Sequence, residues 1–322
     1  MRFLVTGGAG FIGSFMTKRL LDDGHEVVVL DSLERGTRDA LDQRASFIEG
    51  NLLDTAFVRS IFASHTFDGV FHFAAYISMK ESMERPGAYF SNNILGTVTL
   101  LDCMVDGGVN KLIFSSTAGV YGNPTVIPIP EDHPKNPENP YGESKLMVER
   151  ILAWYQKIHH LRYVVLRYFN AAGAALDGSM GEDHHPETHI IPQAIQSLIN
   201  KKPFFLYGDD YDTPDGTCIR DYIHVIDLVD AHIRGFEKIS KDEGGYIYNV
   251  GTGRGYSNKE VIEMVEKVAN EKLDVHIVQR RPGDADRLVA DVRRIKEDLG
   301  FVPRYSDLYT IVSSAWKWHN RS

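Results

Sequence analysis

Tyr141 and Lys145 stand one helical turn apart in YGESK, directly after NPENP, a stretch that ends any preceding element. Residues at i and i+4 share a helix face, so if SKLMVERILAWYQKI is helical the phenol and the ammonium point the same way. A tyrosine with a pKa of about 10 is a poor base at neutral pH, and a cation held beside it favours the phenolate. The pair suits proton abstraction, or equally a helix-start tyrosine beside a surface lysine; the spacing alone leaves both open.

A second candidate site opens the chain. TGGAGFIG (6–13) reads as G-x-G-x-x-G through Gly8, Gly10 and Gly13, or as G-x-x-G-x-x-G through Gly7, Gly10 and Gly13. Both patterns meet one need: a tight turn, backbone that approaches a pyrophosphate, and close packing of helix on strand. The helix that follows offers free N–H groups and its positive dipole end to phosphate oxygens. Asp31 closes EVVVLD about 20 residues on, where a carboxylate holds the adenosine ribose hydroxyls. Its charge repels a 2′-phosphate, which points to NAD rather than NADP.

The elements that must position these groups are legible as apolar, β-branched runs at 3–7, 26–31, 46–50, 69–75, 111–116 and 163–170. Helix-like stretches such as FIGSFMTKRLLDDG, LDTAFVRSIFASH and NNILGTVTLLDCMVDGG separate them. This alternation predicts right-handed βαβ units. The expected fold is α/β: a Rossmann-type doubly wound parallel sheet with a second, smaller α/β substrate domain. After residue 170 the chain is richer in loops, Gly, Pro, Asp and His, with a late strand at 245–251. The expected domains are 1–168 and 169–322, with part of 216–250 able to return to the first. Ligands of open α/β sheets lie beyond the strands' carboxyl ends. That puts Asn51 at the end of the third strand, near an adenine edge, and Phe73 and Ala74 at the end of the fourth.

Composition bounds the partners. Of 322 residues 43% are hydrophobic and 25% charged, as in an ordinary globular protein. A net charge of −9 argues against nucleic acid or an anionic membrane as the main partner. Cys103 and Cys218 make neither a disulfide framework nor a zinc pattern. RFLVTGG follows Met1 without a signal-peptide pattern and no run nears a membrane span, so a cytoplasmic protein is expected. HHPETH suggests a metal site, but adjacent His184 and His185 diverge and Pro186 breaks a helical pairing of His185 with His189. No metal is expected.

Taken together, the glycine start, SSTAGVYG (115–122) and YGESK resemble the extended short-chain dehydrogenase/reductase family. RYFNAAGA (167–174), GEDHHPETHIIP (181–192), DGTCIRDYIHVID (215–227), YNVGTGRGYS (248–257) and RRPGD (280–284) are similar to its UDP-glucose 4-epimerase branch, in order across nearly the whole chain. The resemblance implies a catalytic unit of Thr117, Tyr141 and Lys145. Tyr141 is the base, Lys145 holds the nicotinamide ribose and depresses the phenol, and Thr117 positions the reacting hydroxyl. Implied NAD contacts are Gly7, Gly10, Phe11, Ile12, Gly13, Asp31, Ser32, Asn51, Leu52, Phe73, Ala74, Ala75, Asn92 and Phe169, with Tyr141 and Lys145. For a UDP-hexose, Asn170, His189 and Ile190 would lie near the sugar diphosphate, and Phe205, Leu206 and Tyr207 by the uracil. Arg220 and Arg281 would clamp the diphosphate, Asp284 the ribose, and Leu288 would border the hexose. A homodimer through helices within 92–106 and 144–158 is also implied.

The chain differs from the family pattern at Asn51 (usually Asp), His189 (often Asn) and Ile77 (Lys in some members). Arg220 alternatively pairs with Asp221 or another acid. A nucleotide-sugar 4,6-dehydratase on this scaffold would carry Asp-Glu where Ala118 and Gly119 follow Thr117. A non-catalytic NAD-sensing protein commonly lacks the Tyr-Lys pair, and Asp31 disfavours an NADPH-dependent reductase. The implied reaction is interconversion of UDP-galactose and UDP-glucose through a 4-keto sugar, with UDP-N-acetylhexosamines as further substrates.

Overall fold

The structure, a computed structural model, describes residues 1–321 other than 184, 185, 282 and 283. It begins β1 (Arg2–Thr6), α1 (Phe11–Asp22), β2 (Glu26–Asp31), β3 (Ser46–Glu49), α2 (Thr55–Ser64) and β4 (Gly69–His72). There follow α3 (Met79–Glu84), α4 (Pro86–Tyr89), a π-helical segment (Phe90–Leu95), α5 (Gly96–Asp106), β5 (Lys111–Thr117), α6 (Pro140–His159) and β6 (Arg162–Tyr168). Next come β7 (Asn170–Ala172), α7 (Ile190–Ile199), β8 (Phe204–Tyr207), β9 (Ile219–His224), α8 (Val225–Lys241) and β10 (Gly245–Val250). The chain closes with β11 (Gly255–Ser257), α9 (Asn258–Ala269), β12 (Val275–Val278), β13 (Arg287–Leu288), α10 (Arg293–Leu299) and α11 (Leu308–His319).

Seven strands form one sheet in the order β10-β6-β5-β4-β1-β2-β3, and the pairings from β3 across to β5 are parallel. The order turns back at β1, with β2 on one side and β4 on the other, which opens a crevice at the carboxyl ends. Leu4, Val5, Val29, Val70, Phe71 and Ile113 are fully buried. Strands covered on both faces read as continuous apolar runs, which is why these were visible in the sequence. This is the Rossmann-type doubly wound arrangement.

By packing, the chain divides into two compact units. One comprises Met1–Val120, Lys135–Arg167 and Ala231–Tyr248; the other comprises Tyr121–Pro134, Tyr168–Asp230 and Asn249–Ser322. The first has its core around Leu4, Val70, Leu100, Leu112 and Val148. The second has its own around Ile191, Ile195, Phe204, Val261 and Val312. In the second unit β9 pairs antiparallel with β11 and parallel with β13 and β7, while β8 and β12 form a parallel pair. Among the described residues no helix is long and apolar enough to cross a membrane.

Candidate active site

The glycine turn is shaped by close approach. Gly7 has φ +73°, and a Cβ there would lie 2.5 Å from the Ala74 nitrogen; one on Gly13 would lie 2.1 Å from the Gly7 oxygen. These contacts press the start of α1 onto β1 and bring Phe73 and Ala74 beside the turn. The Ser14 N–H is bonded back to Gly10 O at 3.0 Å, so the amides of Phe11, Ile12 and Gly13 are those at the open end of the helix. Asp31 joins the turn directly: its Oδ2 accepts the Ala9 N–H at 3.0 Å and its Oδ1 the Leu33 N–H at 2.8 Å. Burial raises its carboxyl pKa above the ordinary value, and those two donors oppose the rise. Asn51 Oδ1 accepts the Leu53 N–H at 2.9 Å, so its amide NH₂ is the group it offers an adenine edge. Leu52 packs into the core, which leaves only its backbone for a ligand. The Ser32 hydroxyl accepts the Glu34 N–H at 3.4 Å, and Asn92 donates to Asn93 Oδ1 at 3.0 Å.

The catalytic candidates meet where β5 ends against α6. Asn139 accepts the Gly142 N–H at 2.9 Å and Pro140 fills the first turn, so the helix begins at a defined residue. A Cβ on Gly142 would lie 2.6 Å from Gly119 O, so only glycine lets this helix start rest on the segment after Thr117. Tyr141 and Lys145 are both buried. Lys145 Nζ donates to Ser115 O at 2.7 Å and lies 4.8 Å over the Phe114 ring. Burial pushes its ammonium down to about 7, against the opposing charge of Glu149. Burial pushes the Tyr141 phenol up to about 12, and a hydrogen bond with Thr117 opposes that rise. The expected depression of the phenol by Lys145 is therefore not delivered by the protein's own groups. Desolvation of the phenolate outweighs its hydrogen bond, and Lys145 spends a donor on Ser115.

The second unit places the remaining candidates in three groups. A cleft is lined by Asn170, Glu182, His189, Ile190, Tyr222 and His319, and so unites Asn170, His189 and Ile190. His189 Nδ1 lies 2.5 Å from Glu182 Oε1, and that carboxylate raises the imidazole to about 9. Glu182, Glu187 and His189 bring one ligand atom each within 4.8 Å of one another. When protonated, the imidazole offers its N–H groups to these carboxylates. His184 and His185 lie outside the described residues. On β9 and β13, Arg220 and Leu288 are register partners. Arg220 Nη1 donates to Ala285 O at 2.8 Å and Nη2 is 4.0 Å from Asp284. Asp221 faces the other way, accepting from Thr252, Gly253 and Ala290; it is not the partner of Arg220. On β8, Phe205 and Tyr207 are exposed and Arg281 stacks 3.9 Å over the Tyr207 ring. Leu206 points into the core, so of the three it alone has only backbone for a ligand. Phe169 is tied by its N–H to Val250 O at 3.3 Å.

Residues 3–251 match the NAD dependent epimerase/dehydratase family. The chain belongs to that family. It is 46% identical over 320 residues to the UDP-glucose 4-epimerase of Lactobacillus helveticus, covering 99% of this chain and 97% of that one. A crystal structure of UDP-glucose 4-epimerase from Brucella ovis in complex with NAD is 44% identical, with TM-score 0.95 over 98% of this chain and 97% of that one. One from Bifidobacterium longum in complex with NAD⁺ and UDP is 38% identical, with TM-score 0.94 over 99% and 98%. The cofactor of this epimerase/dehydratase family member is NAD, and the turn fits it. A Cβ on Gly10 would meet no protein atom closer than 3.4 Å, unlike those on Gly7 and Gly13. The space beside Gly10 thus suits a pyrophosphate rather than a protein neighbour.

Four buried residues near the candidate site escaped the sequence reading: Ser116, Glu149, Arg167 and His72. Ser116 Oγ donates to Glu149 Oε1 at 2.6 Å, and Arg167 pairs with Glu149 Oε2 at 2.5 Å, all three buried. Glu149 lies one turn beyond Lys145, so the i+4 spacing was the available signal. His72 at the end of β4 bonds Thr6 Oγ1 at 2.6 Å and Thr97 Oγ1 at 2.8 Å. Burial, then the charge of Lys145, hold it neutral, down to about 3.

Proposed function

We propose that this chain interconverts UDP-glucose and UDP-galactose by inverting carbon 4 of the hexose. The observation that carries the reading is the buried meeting of Thr117, Tyr141 and Lys145 within the unit that holds the glycine turn. Bound NAD⁺ supplies a reversible hydride acceptor. Tyr141 takes the proton from the 4-hydroxyl and later returns it, Thr117 bonds the same oxygen, and Lys145 holds the nicotinamide ribose. The 4-keto sugar must turn its other face before hydride returns, so UDP needs a firm grip and the hexose a loose one. The unit built on the seven-stranded sheet serves the cofactor and the second unit the UDP-sugar. There Arg220 and Arg281 grip the diphosphate, Asp284 the ribose, and Phe205 and Tyr207 the uracil. Asn170, His189 and Ile190 line the sugar diphosphate, and Leu288 borders the hexose. Water removal would need acidic groups beside Thr117, where Ala118 and Gly119 stand.

A homodimer is part of the proposal. Leu95, Met147, Trp154 and Ile158 are exposed, the last three on one face of α6, an apolar stripe that a second copy would cover. The buried free thiols of Cys103 and Cys218 suit a reducing cytoplasm. The test is incubation of pure protein with UDP-galactose and no added NAD(H). UDP-glucose should form with no dehydrated sugar and no net cofactor reduction; a dehydrated product, or no product from NAD-loaded protein, would overturn the reading.

A further inference from the structure

The two segments that flank the glycine turn are fastened to each other across it. β1 lies between β2 and β4, so the chain leaving their carboxyl ends stands on either side of the turn, roughly 10 Å apart at the spacing of strands. Behind β2, residues 32–37 fold back onto the turn: the Thr37 N–H donates to Ala9 O at 3.2 Å, and a Cβ on Gly36 would lie 2.7 Å from that carbonyl. Behind β4, Tyr76 is pinned by its backbone, the N–H donating to Asn93 Oδ1 at 2.8 Å and the carbonyl accepting from Asn93 Nδ2 at 3.0 Å. Two side-chain bonds span the gap. The Tyr76 hydroxyl donates to Glu34 Oε2 at 2.8 Å, and Arg35 donates to Glu81 Oε1 at 2.6 Å with its guanidinium 5.1 Å over the Tyr76 ring. Tyr89, fully buried, backs them: its hydroxyl donates to Glu81 Oε2 at 3.2 Å and its ring meets Tyr76 edge-on at 5.6 Å.

We infer that Glu34, Arg35, Tyr76 and Glu81 form a latch over the dinucleotide groove whose opening sets how fast NAD enters and leaves. The inference rests on NAD as cofactor and on nothing in the sugar chemistry, so its test needs no sugar nucleotide and stands apart from the epimerase reading. A dinucleotide lies with its pyrophosphate on the glycine turn and a nucleoside to either side. A bridge from the β2 segment to the β4 segment passes above that middle, and the molecule cannot lift off until the bridge parts. The bridge is assembled from the chain's own groups on both sides, so its opening equilibrium is the same with and without cofactor. Passage in both directions then scales with the open fraction, and affinity does not move. The ion pair is half open to water, with Arg35 and Glu81 side chains 49% and 23% exposed, so salt loosens it.

The experiment measures release and capture of NAD by the holoenzyme, using exchange against a fluorescent NAD analogue in stopped flow, for wild type, Tyr76→Phe, Arg35→Met and the double variant. The double variant should exchange about tenfold faster in both directions, with Kd within about twofold of wild type. Wild-type exchange should quicken with salt, and Arg35→Met should lose that dependence. Tyr76→Phe removes one hydroxyl and keeps the ring, so a variant with an unchanged melt is at hand. Unaltered exchange in that folded variant and in Arg35→Met would overturn the latch. So would faster release with a matching loss of affinity, which would make these ordinary binding contacts.

Discussion

Replacing Lys145 by methionine removes a buried ammonium with little change in volume, and the structure sets what this does to stability. Lys145 is 4% exposed, and burial lowers its pKa from 10.5 to about 7. In the unfolded chain the amine stays protonated up to its ordinary value; in the folded chain it does so only up to about 7. Between those values the unfolded state holds the extra proton, so stability rises with pH; below about 7 both states are charged and the penalty is complete. A gap of about 3.5 units at about 1.4 kcal/mol each makes that penalty about 5 kcal/mol at pH 6.5. Methionine abolishes it, and leaves the Ser115 carbonyl without its donor, a cost of about 1–3 kcal/mol at any pH. With both chains stripped of cofactor, Lys145→Met should therefore be more stable than wild type at pH 6.5, by about 2–4 kcal/mol. By pH 9.5 that advantage should have shrunk by about 3 kcal/mol. Neighbouring His72 and Tyr141, at about 3 and about 12, titrate outside this window. Urea unfolding of both chains at the two pH values reads the change directly, and pH-independent terms cancel. A difference that stays constant or widens with pH would refute the assignment of a strained, buried charge.

Tyr141→Phe should lower turnover by about 10²–10⁴ while NAD and UDP-sugar binding stay near normal, because only the ionisable oxygen is lost; full turnover by the purified variant would remove Tyr141 from the mechanism. Asp31→Ala should weaken NAD and narrow its advantage over NADP, since the ribose loses an acceptor and a 2′-phosphate loses a repelling charge; an unchanged ratio in titrations of both cofactors would place Asp31 outside the site. Leu288, half-buried beside Arg220, lacks the bulk that a tyrosine would set against a 2-acetamido group, so the chain should accept UDP-N-acetylglucosamine alongside UDP-glucose. Leu288→Tyr should cut kcat/KM for the acetylated pair by about one to two decades, corresponding to roughly 1–3 kcal/mol of overpacking; equal treatment of both pairs by the variant would show that this position is not the gate.

The legible parts of this chain are those whose physics is local. Val27 to Leu30 read as a strand because both faces are buried. The shared face of Tyr141 and Lys145 was legible in their spacing, while Asn139 and Pro140, read only as ending the preceding element, in fact cap and open α6. Where the outcome depended on distant groups the reading stopped short. FHFAA looked like strand to its end, yet β4 stops at His72, whose ring is held by Thr6 on one side and Thr97 on the other. NNILGTVTLLDCMVDGG looked like one helix; it enters through the π-helical turn that aims Asn93 at Tyr76. Phe205 and Leu206 are neighbours of like composition, and only the packing of β8 decides that one faces solvent and the other the core.

The same division runs through the chemistry. The i, i+4 spacing puts Tyr141 and Lys145 on one helix face, but it points to them only together with the glycine turn and SSTAGVYG. Their protonation is set by groups outside the pair. Ser115 takes the Lys145 donor from a strand, Glu149 opposes its loss of charge from the next turn, and His72 stays neutral on another strand. The structure accordingly corrects the direction of the Tyr141 shift, which burial turns upward. An isolated phenol beside an ammonium would ionise more readily, but the same pair sealed from water resists charge until an outside cation offsets the desolvation. That dependence links ionisation of Tyr141 to occupancy of the neighbouring cofactor groove, where the positive charge of a nicotinamide ring would lower the phenol's pKa.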